Sequence, residues 1–217
     1  MKILLIGYGK VNKIIGDLYR DNIVGIVDET EESIKDIVDV IIDFSHPSLL
    51  DKTIFYAMKF KCPVVIGTTG YEEEKMAKIK ELSNIVPVLK SCNFSTGISL
   101  IKRILIENLN TINLYNKSIV ERHNSLKKDS PSGTALMLGD LLGIDNIHSY
   151  RDPFFIAEHD IVLENLNEVI TITHKVLNRS VFAIGAVNAA QWLLDKPIGM
   201  YQLEDINYDQ LWSETLH

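Results

Sequence analysis

The sequence predicts an α/β protein built in two dissimilar halves, a helix-covered parallel sheet followed by an α+β arrangement. Three observations predict it. Short apolar β-type runs alternate with helically spaced segments through residues 2–90, the pattern of βαβ units. A Gly-x-Gly turn joins the first run to the first helix, in the context of a dinucleotide-binding turn. After Phe94–Thr96 the alternation stops, and longer strands, a hairpin and one long apolar-periodic helix take over.

In order, the first half predicts strands at Lys2–Ile6, Ile23–Val27, Val38–Phe44, Pro63–Ile66 and Val86–Lys90. Each is too short and too uniformly apolar for a helix. Between them, Val11–Tyr19, Ser48–Phe60 and Glu72–Ser83 carry helical spacing. The second half predicts helices at Ser99–Leu109, Thr134–Leu142 and Val181–Leu194, a strand at Lys117–Arg122, and a pair of strands, Ile156–Leu163 and Glu168–Thr173, across the Glu164–Asn167 turn. The expected division is 1–95 plus a C-terminal return over 199–217, against 96–198.

Composition sets the bounds. The 217 residues are 46% apolar and 24% charged, which is ordinary for a globular chain large enough to fold without staples. Twenty-two basic and 29 acidic residues leave a net charge of −7, so a general nucleic-acid or membrane-surface binder is excluded as the expectation. Cys62 and Cys92 form no framework, and no Cys/His spacing fits zinc. No run reaches the ~18 apolar residues of a membrane span. The expectation is a soluble, cytoplasmic protein without a metal.

Candidate chemistry gathers at the strand ends. Gly7-Tyr8-Gly9-Lys10-Val11-Asn12 follows the first strand. Gly7 allows the bend and Gly9 lets a pyrophosphate approach the helix N-terminus. Asn12 stands where the fingerprint has its third glycine. Asp28, at the end of the second strand, suits a ribose hydroxyl and tilts the cofactor toward NADH over NADPH. Three further loops leave strand ends: Asp43-Phe44-Ser45-His46-Pro47, Gly67-Thr68-Thr69-Gly70 and Ser91-Cys92-Asn93-Phe94. Cys92 reads as a small apolar filler in the last of them.

The richest stretch runs from Glu121 to Thr134. Ser130 is the expected N-cap with Pro131 at the first helical position, leaving the N–H groups of Ser132, Gly133 and Thr134 for a carboxylate. His123 and Lys127 bring an imidazole and an ammonium into the same loop, as general acid–base chemistry needs. Arg122, Lys127 and Lys128 with that helix end suggest a local positive site for a dianion. The same stretch also reads as a capped helix beside a solvated basic loop. His159 and His174, isolated in strand-like runs, read as structural or interface residues.

These motifs, in this order, resemble the dihydrodipicolinate reductase family. The resemblance rests on GYGKVN, DFSHP, GTTG, SCNFSTGI, the Glu-x-His…Lys-x-Asp-Ser-Pro-Ser-Gly-Thr-Ala segment from Glu121 to Ala135, Ala157-Glu158-His159, EVITITH ending at His174, RSVFAIGAVNAA from Arg179, and PIGMYQLED over 197–205. It implies a Rossmann-like nucleotide domain and a substrate and oligomerisation domain with a mixed sheet, assembled as a homotetramer. It implies hydride transfer from NADH or NADPH to 4-hydroxy-tetrahydrodipicolinate, a cyclic dicarboxylic imine of lysine and diaminopimelate biosynthesis. On this resemblance His123 is a proton donor or acceptor and Lys127 a proton donor. Gly133 and Thr134 hold a substrate carboxylate with Ser132 nearby. Gly67, Thr68 and Thr69 with Ser91, Cys92, Asn93 and Phe94 line the nicotinamide end, and Phe44 belongs to the same cofactor edge. The chain departs from the family pattern at Asn124, where a second histidine that contacts substrate is usual, and at Arg151-Asp152-Pro153-Phe154-Phe155, where a glycine-rich lead is usual. Two alternatives follow: a reductase of another small cyclic imine or dicarboxylate, or a silent nucleotide-binding regulator of the same fold.

Overall fold

The computed structural model describes residues 1–206. In chain order the elements are β1 (Ile3–Ile6), α1 (Lys10–Leu18), β2 (Ile23–Val27), β3 (Glu32–Ile34), β4 (Val40–Asp43), α2 (Leu50–Phe60), β5 (Val64–Ile66), α3 (Glu73–Leu82) and β6 (Pro87–Lys90). There follow α4 (Thr96–Glu107), the short α5 (Leu109–Ile112), β7 (Asn116–His123), α6 (Gly133–Leu142), β8 (Ile147–Arg151), β9 (Ala157–Glu164), β10 (Val169–Val176), α7 (Ser180–Leu193) and β11 (Gly199–Tyr201). The described residues divide into two compact units, 1–94 with 180–206, and 95–179.

The first unit is a seven-stranded sheet in the order β11-β6-β5-β4-β1-β2-β3. All neighbours are parallel except β2 and β3. Successive side chains of a strand alternate between faces, and both faces are covered. Ile3, Leu5, Val40, Ile42, Val65 and Leu89 pack with Ala183, Ala186, Ala190 and Leu193 of α7. Leu4, Ile6, Ile41, Val64, Ile66 and Val88 pack with Leu50 and Ala57 of α2 and Ile79 and Leu82 of α3. Burial on both faces is why these strands read as unbroken apolar runs. Each buried Ile or Leu contributes roughly 1.5–3 kcal/mol. The strand order reverses at the β4–β1 pair, the switch point beyond whose carboxyl ends open α/β sheets take their ligands.

The second unit is a four-stranded mixed sheet in the order β10-β9-β7-β8, with only β7 and β8 parallel. One face packs Ile119, Ile147, Ile161 and Leu163 against Leu105 of α4 and Ala135, Leu138 and Leu142 of α6. On the other face Arg122 pairs across the sheet with Glu158, and Glu158 with Lys175. No helix of this unit covers that second face among the described residues.

The structure corrects several expectations. β3 and β8 have no counterpart in the predicted elements. The first helix of the second half begins at Thr96, ahead of the expected Ser99. Helix α7 packs on the first unit's sheet, so residues 180–198 stand apart from the expected division at 96–198. Small residues on α7 allow this close fit: a Cβ on Gly185 would lie 1.8 Å from the Phe94 carbonyl oxygen. β11 (Gly199–Tyr201) pairs with β6; of the expected return over 199–217, 207–217 lie outside the described residues.

Candidate active site

The turn after β1 is built around Gly7. Its φ of +77° and a virtual Cβ only 2.6 Å from Ser45 Cβ exclude a larger residue. Its N–H donates to the Val27 carbonyl at 2.7 Å. Gly9 is the N-cap of α1, and a Cβ there would meet nothing closer than 3.9 Å. Space above Gly9 and the first-turn N–H groups of α1 therefore fit a pyrophosphate. Tyr8 and Lys10 are exposed at this turn and Val11 is half-buried. Asn12 faces inward: it is fully buried, and its Nδ2 donates to the carbonyls of Ile6 and Gly7, each at 2.8 Å. The residue at the third glycine position thus braces the turn from within.

Asp28 ends β2. Its Oδ1 accepts from the N–H and hydroxyl of Thr30 at 2.7 and 2.9 Å and from the Glu31 N–H at 2.9 Å. Those backbone donors hold its pKa below the usual carboxylate value. Its Oδ2 has no partner among the described residues, which leaves one oxygen for a ribose.

Asp43, at the end of β4, opens one of the strand-end loops singled out by sequence, which gave it no role of its own. It is fully buried and accepts from Ser45 Oγ at 2.5 Å, Thr68 Oγ1 at 2.7 Å and Thr53 Oγ1 at 2.8 Å. Burial raises its pKa, against the pull of the Ser45, Thr68 and Thr53 hydroxyls. The Ser45 N–H donates to Thr68 Oγ1 at 2.8 Å. One carboxylate thus ties the loops after β4 and β5 together. The Thr68 side chain is buried in this tie, whereas Thr69 is exposed. Phe44 lies over Gly67, where a Cβ would come within 2.2 Å of its ring, and meets Phe94 edge-on at 5.1 Å. Phe94 itself is 1% exposed and belongs to the first unit's core. Ser91 Oγ donates to the Asn93 carbonyl at 2.7 Å, and Asn93 is buried. Cys92 is exposed, contrary to its reading as an apolar filler.

In the second unit the register of the mixed sheet aligns Glu121 of β7, His159 of β9 and His174 of β10 in one row. His123, two residues beyond Glu121, faces the same side. The Glu121 carboxylate is fully buried; Oε1 accepts from Arg151 Nη2 at 2.9 Å and from the Ser132 N–H at 3.3 Å, and Oε2 contacts His123 Nδ1. Burial opposes its ionisation, but Ser149, Arg151 and His123 outweigh it and the pKa is lowered. Burial lowers the His123 pKa, and Glu121 counteracts in part. His159 stands edge-on to His123 at 5.1 Å, and burial pushes its pKa down to about 3. His174 Nε2 lies 2.9 Å from Ser95 Oγ, and burial lowers its pKa too.

Helix α6 starts at Gly133, one residue before the predicted Thr134, and its N-cap lies two residues later than expected. Ser132, not Ser130, is the N-cap, and its hydroxyl accepts from the Ala135 N–H at 3.2 Å. Because the Ser132 N–H is bonded to Glu121, the anion-facing end of α6 narrows to the exposed Gly133 and the buried Thr134. Ser132 Oγ also lies 3.2 Å from His159 Nε2. Lys127 Nζ pairs with Asp129 at 2.8 Å. Asn124 is held at both ends, its Nδ2 donating to the Pro153 carbonyl at 3.0 Å and its Oδ1 accepting from the Leu126 N–H at 3.1 Å. Arg122 does not join this group. It projects from the opposite face of β7 and pairs with Glu158 at 3.0 Å and Asp160 at 2.5 Å. The expected positive site is therefore reduced to Lys127, Lys128 and the helix end.

Glu121, His123 and His159 carry donor types found in metal sites, and one atom of each lies within 4.8 Å of the others. Arg151 already neutralises that carboxylate, and its guanidinium would repel a cation. The cluster is best described as a hydrogen-bond network.

The sequence matches the family model described as dihydrodipicolinate reductase, N-terminus, over residues 10–94, and that described as dihydrodipicolinate reductase, C-terminus, over 97–206. The chain belongs to the dihydrodipicolinate reductase family. Among its relatives is the 4-hydroxy-tetrahydrodipicolinate reductase of Thermosipho africanus, 36% identical across 95% of this chain and 97% of that protein. The enzyme of that name from Caldanaerobacter subterraneus is 32% identical across 91% and 94%. In fold, the chain is similar to the dipicolinate-bound dihydrodipicolinate reductase of Paenisporosarcina sp. TG-14, with a TM-score of 0.74 at 20% identity over 95% of this chain and 99% of that one. The two-part fold expected from the family resemblance is present, and no helix among the described residues is long and apolar enough to cross a membrane.

Proposed function

We propose that the chain catalyses NAD(P)H-dependent reduction of 4-hydroxy-tetrahydrodipicolinate to tetrahydrodipicolinate, in the cytoplasm, as a step of lysine and diaminopimelate biosynthesis. The observation that carries the reading is the buried Glu121–His123 pair beside the Lys127 loop and the α6 N-terminus, in a chain whose curated relatives bear that enzyme name over nearly their whole length.

Gly7, Tyr8, Gly9, Lys10 and Val11 would hold the pyrophosphate, with Asn12 bracing them, and the free oxygen of Asp28 would take the adenine ribose. This arrangement favours NADH. Gly67, Thr69, Ser91 and Cys92 would border the nicotinamide, with Phe44 and Phe94 shaping the loops beneath. When bound, the reduced nicotinamide supplies the hydride. The residues of the chain handle charge and protons. Gly133 and Thr134 at the start of α6, together with Lys127, hold carboxylate oxygens of the substrate. His123 Nε2 and Lys127 Nζ are the groups that deliver a proton to the reduced ring.

Asn124 serves the loop as a brace, so that His123 and Lys127 are the proton-handling pair without a second histidine. Their joint presence disfavours a silent regulator, and the anion-binding helix end favours a dicarboxylate over an uncharged imine. For the homotetramer we assign the sheet face of Arg122, Glu158, Asp160 and Lys175, opposite the one packed by α4 and α6, as the contact surface. Sedimentation of the full chain would test it, a monomer at micromolar concentration being the overturning result.

The decisive assay supplies the condensation product of aspartate semialdehyde and pyruvate and follows nicotinamide absorbance. Oxidation is expected, reduced roughly 10²–10⁴-fold in kcat by Lys127→Ala. No oxidation by folded, cofactor-binding protein overturns the reading.

A further inference from the structure

His123 ends β7 with its side chain 9% exposed. Its two ring nitrogens have different surroundings. Nδ1 contacts Glu121 Oε2 as an ion pair, and no hydrogen bond of Nε2 is present among the described residues. An imidazole without a fixed partner samples both tautomers and both ring orientations, and only one combination presents the right nitrogen to a substrate. Alternation along β7 puts Glu121 and His123 on one face.

Glu121 is itself immobilised. Arg151 Nη2 and the Ser132 N–H both bind Oε1, at 2.9 and 3.3 Å. The Arg151 guanidinium is anchored in turn to the carbonyls of Asp129 at 2.6 Å and Tyr150 at 2.7 Å. The parallel register of β7 and β8 sets Arg151 beside His123. A connected line thus runs from the β8 end through Arg151 and Glu121 to the imidazole.

We propose that Glu121 is the positioning residue of this site: its carboxylate, pinned by Arg151 and the Ser132 N–H, grips His123 at Nδ1 and so makes Nε2 the nitrogen that exchanges the proton. This rests on the reductase reading above. In the step, the Nε2–H bond breaks as the bond from that proton to the substrate forms. The imidazole is left neutral with its Nδ1–H retained, and Glu121 stays ionised throughout. The charged or titratable groups around His123 are Glu121 on β7, Lys127 in the loop, Arg151 on β8 and His159 on β9. Glu121 alone among them stabilises the imidazolium.

The test is Glu121→Gln in the full chain, a change that keeps the shape and removes the charge. Expected are a kcat reduced roughly 10²-fold or more with KM for the imine within about threefold, and an alkaline limb of the kcat/KM profile, where the proton-donating His123 loses its proton, moved to lower pH. Nitrogen-15 NMR of the histidines should give the Nδ1–H tautomer for His123 in the native chain, and its loss in the variant. An unmoved pH limb together with an unchanged tautomer overturns the proposal, whatever happens to kcat. Should Glu121→Gln not fold, Arg151→Lys is measured by the same tautomer signal, with disorder of the Nδ1–H form expected and its full retention overturning. The NMR result stands apart from turnover. A native chain that oxidises no NADH but holds the tautomer therefore refutes the reductase reading and leaves the positioning of His123 intact.

Discussion

The side-chain amide of Asn12 lies 2.8 Å from the carbonyl oxygen of Gly7, closing the turn after β1 from the protein interior. Because Nδ2 also donates to Ile6, Asn12→Ala would leave both carbonyls without that donor, at a cost of about 1–3 kcal/mol. Asn12→Gly, although it restores the usual fingerprint, is expected to destabilise the chain similarly. Urea unfolding of both variants checks this, and a more stable Asn12→Gly chain would refute the bracing role.

Asp43 gathers hydroxyls from Ser45, Thr53 and Thr68. Replacement by Ala leaves three donors facing a void and should lower stability by roughly 2–4 kcal/mol. NADH affinity should weaken with it, because the loops after β4 and β5 lose their common anchor. Thermal unfolding and fluorescence titration measure the two effects, and unchanged values for both would show that the tie is unimportant.

Stability is expected to fall in mild acid. Burial holds His159 neutral, with a folded pKa of about 3 against 6.5 for the free side chain. The unfolded chain therefore binds the extra proton between those values. Stability from this group is complete above pH 6.5 and declines as pH drops toward 3, by up to about 1.4 kcal/mol per unit. His123 and His174 shift in the same direction. Denaturant midpoints at pH 7 and pH 5 should differ, and His159→Asn should reduce the difference. Equal slopes in the two chains would remove His159 as the cause.

Asp28 keeps one carboxylate oxygen free while Oδ1 closes its own turn. NADH should bind more tightly than NADPH, and Asp28→Ala should narrow the gap. Calorimetric titration of both cofactors decides it, and a strong NADPH preference in the native chain sinks this use of Asp28.

Gly185→Ala would drive a methyl group into the Phe94 carbonyl, 1.8 Å away. A loss of about 1–3 kcal/mol or more is expected. Circular dichroism melting would show it, and a native-like melting temperature would mean α7 can shift freely.

The parallel sheet was legible in the sequence because strands buried on both faces have no polar alternation to confuse the pattern: Ile3–Ile6 and Val40–Asp43 are buried throughout. β3 and β8 were not legible. Glu-Ser-Ile and Ile-His-Ser-Tyr-Arg are half-polar edge strands, held by pairing with β2 and β7 and not by an apolar run of their own. The N-cap was misplaced because Ser130 and Ser132 are equivalent as residue types. Only the position of Glu121, which takes the Ser132 N–H, separates them. His123 and Lys127 could be read from one loop. Glu121 was in view two residues away, but Arg151 belongs to a strand that sequence did not reveal, so the network stayed hidden. Asp43 carried a signal too, an acidic residue closing an otherwise apolar strand.

Helix α7 and β11 complete a sheet whose other strands come from the first 94 residues. On a ribosome, chain is released from its N-terminus onward. The middle stretch, 95–179, is a compact unit with its own sheet and apolar core. The earlier-made sheet must wait, with the Ile3, Leu5 and Ile42 face uncovered, until Ala183 and Leu193 emerge. The oldest part of the newborn chain is therefore the last to be sealed, and it is there that a chaperone would find apolar surface to hold.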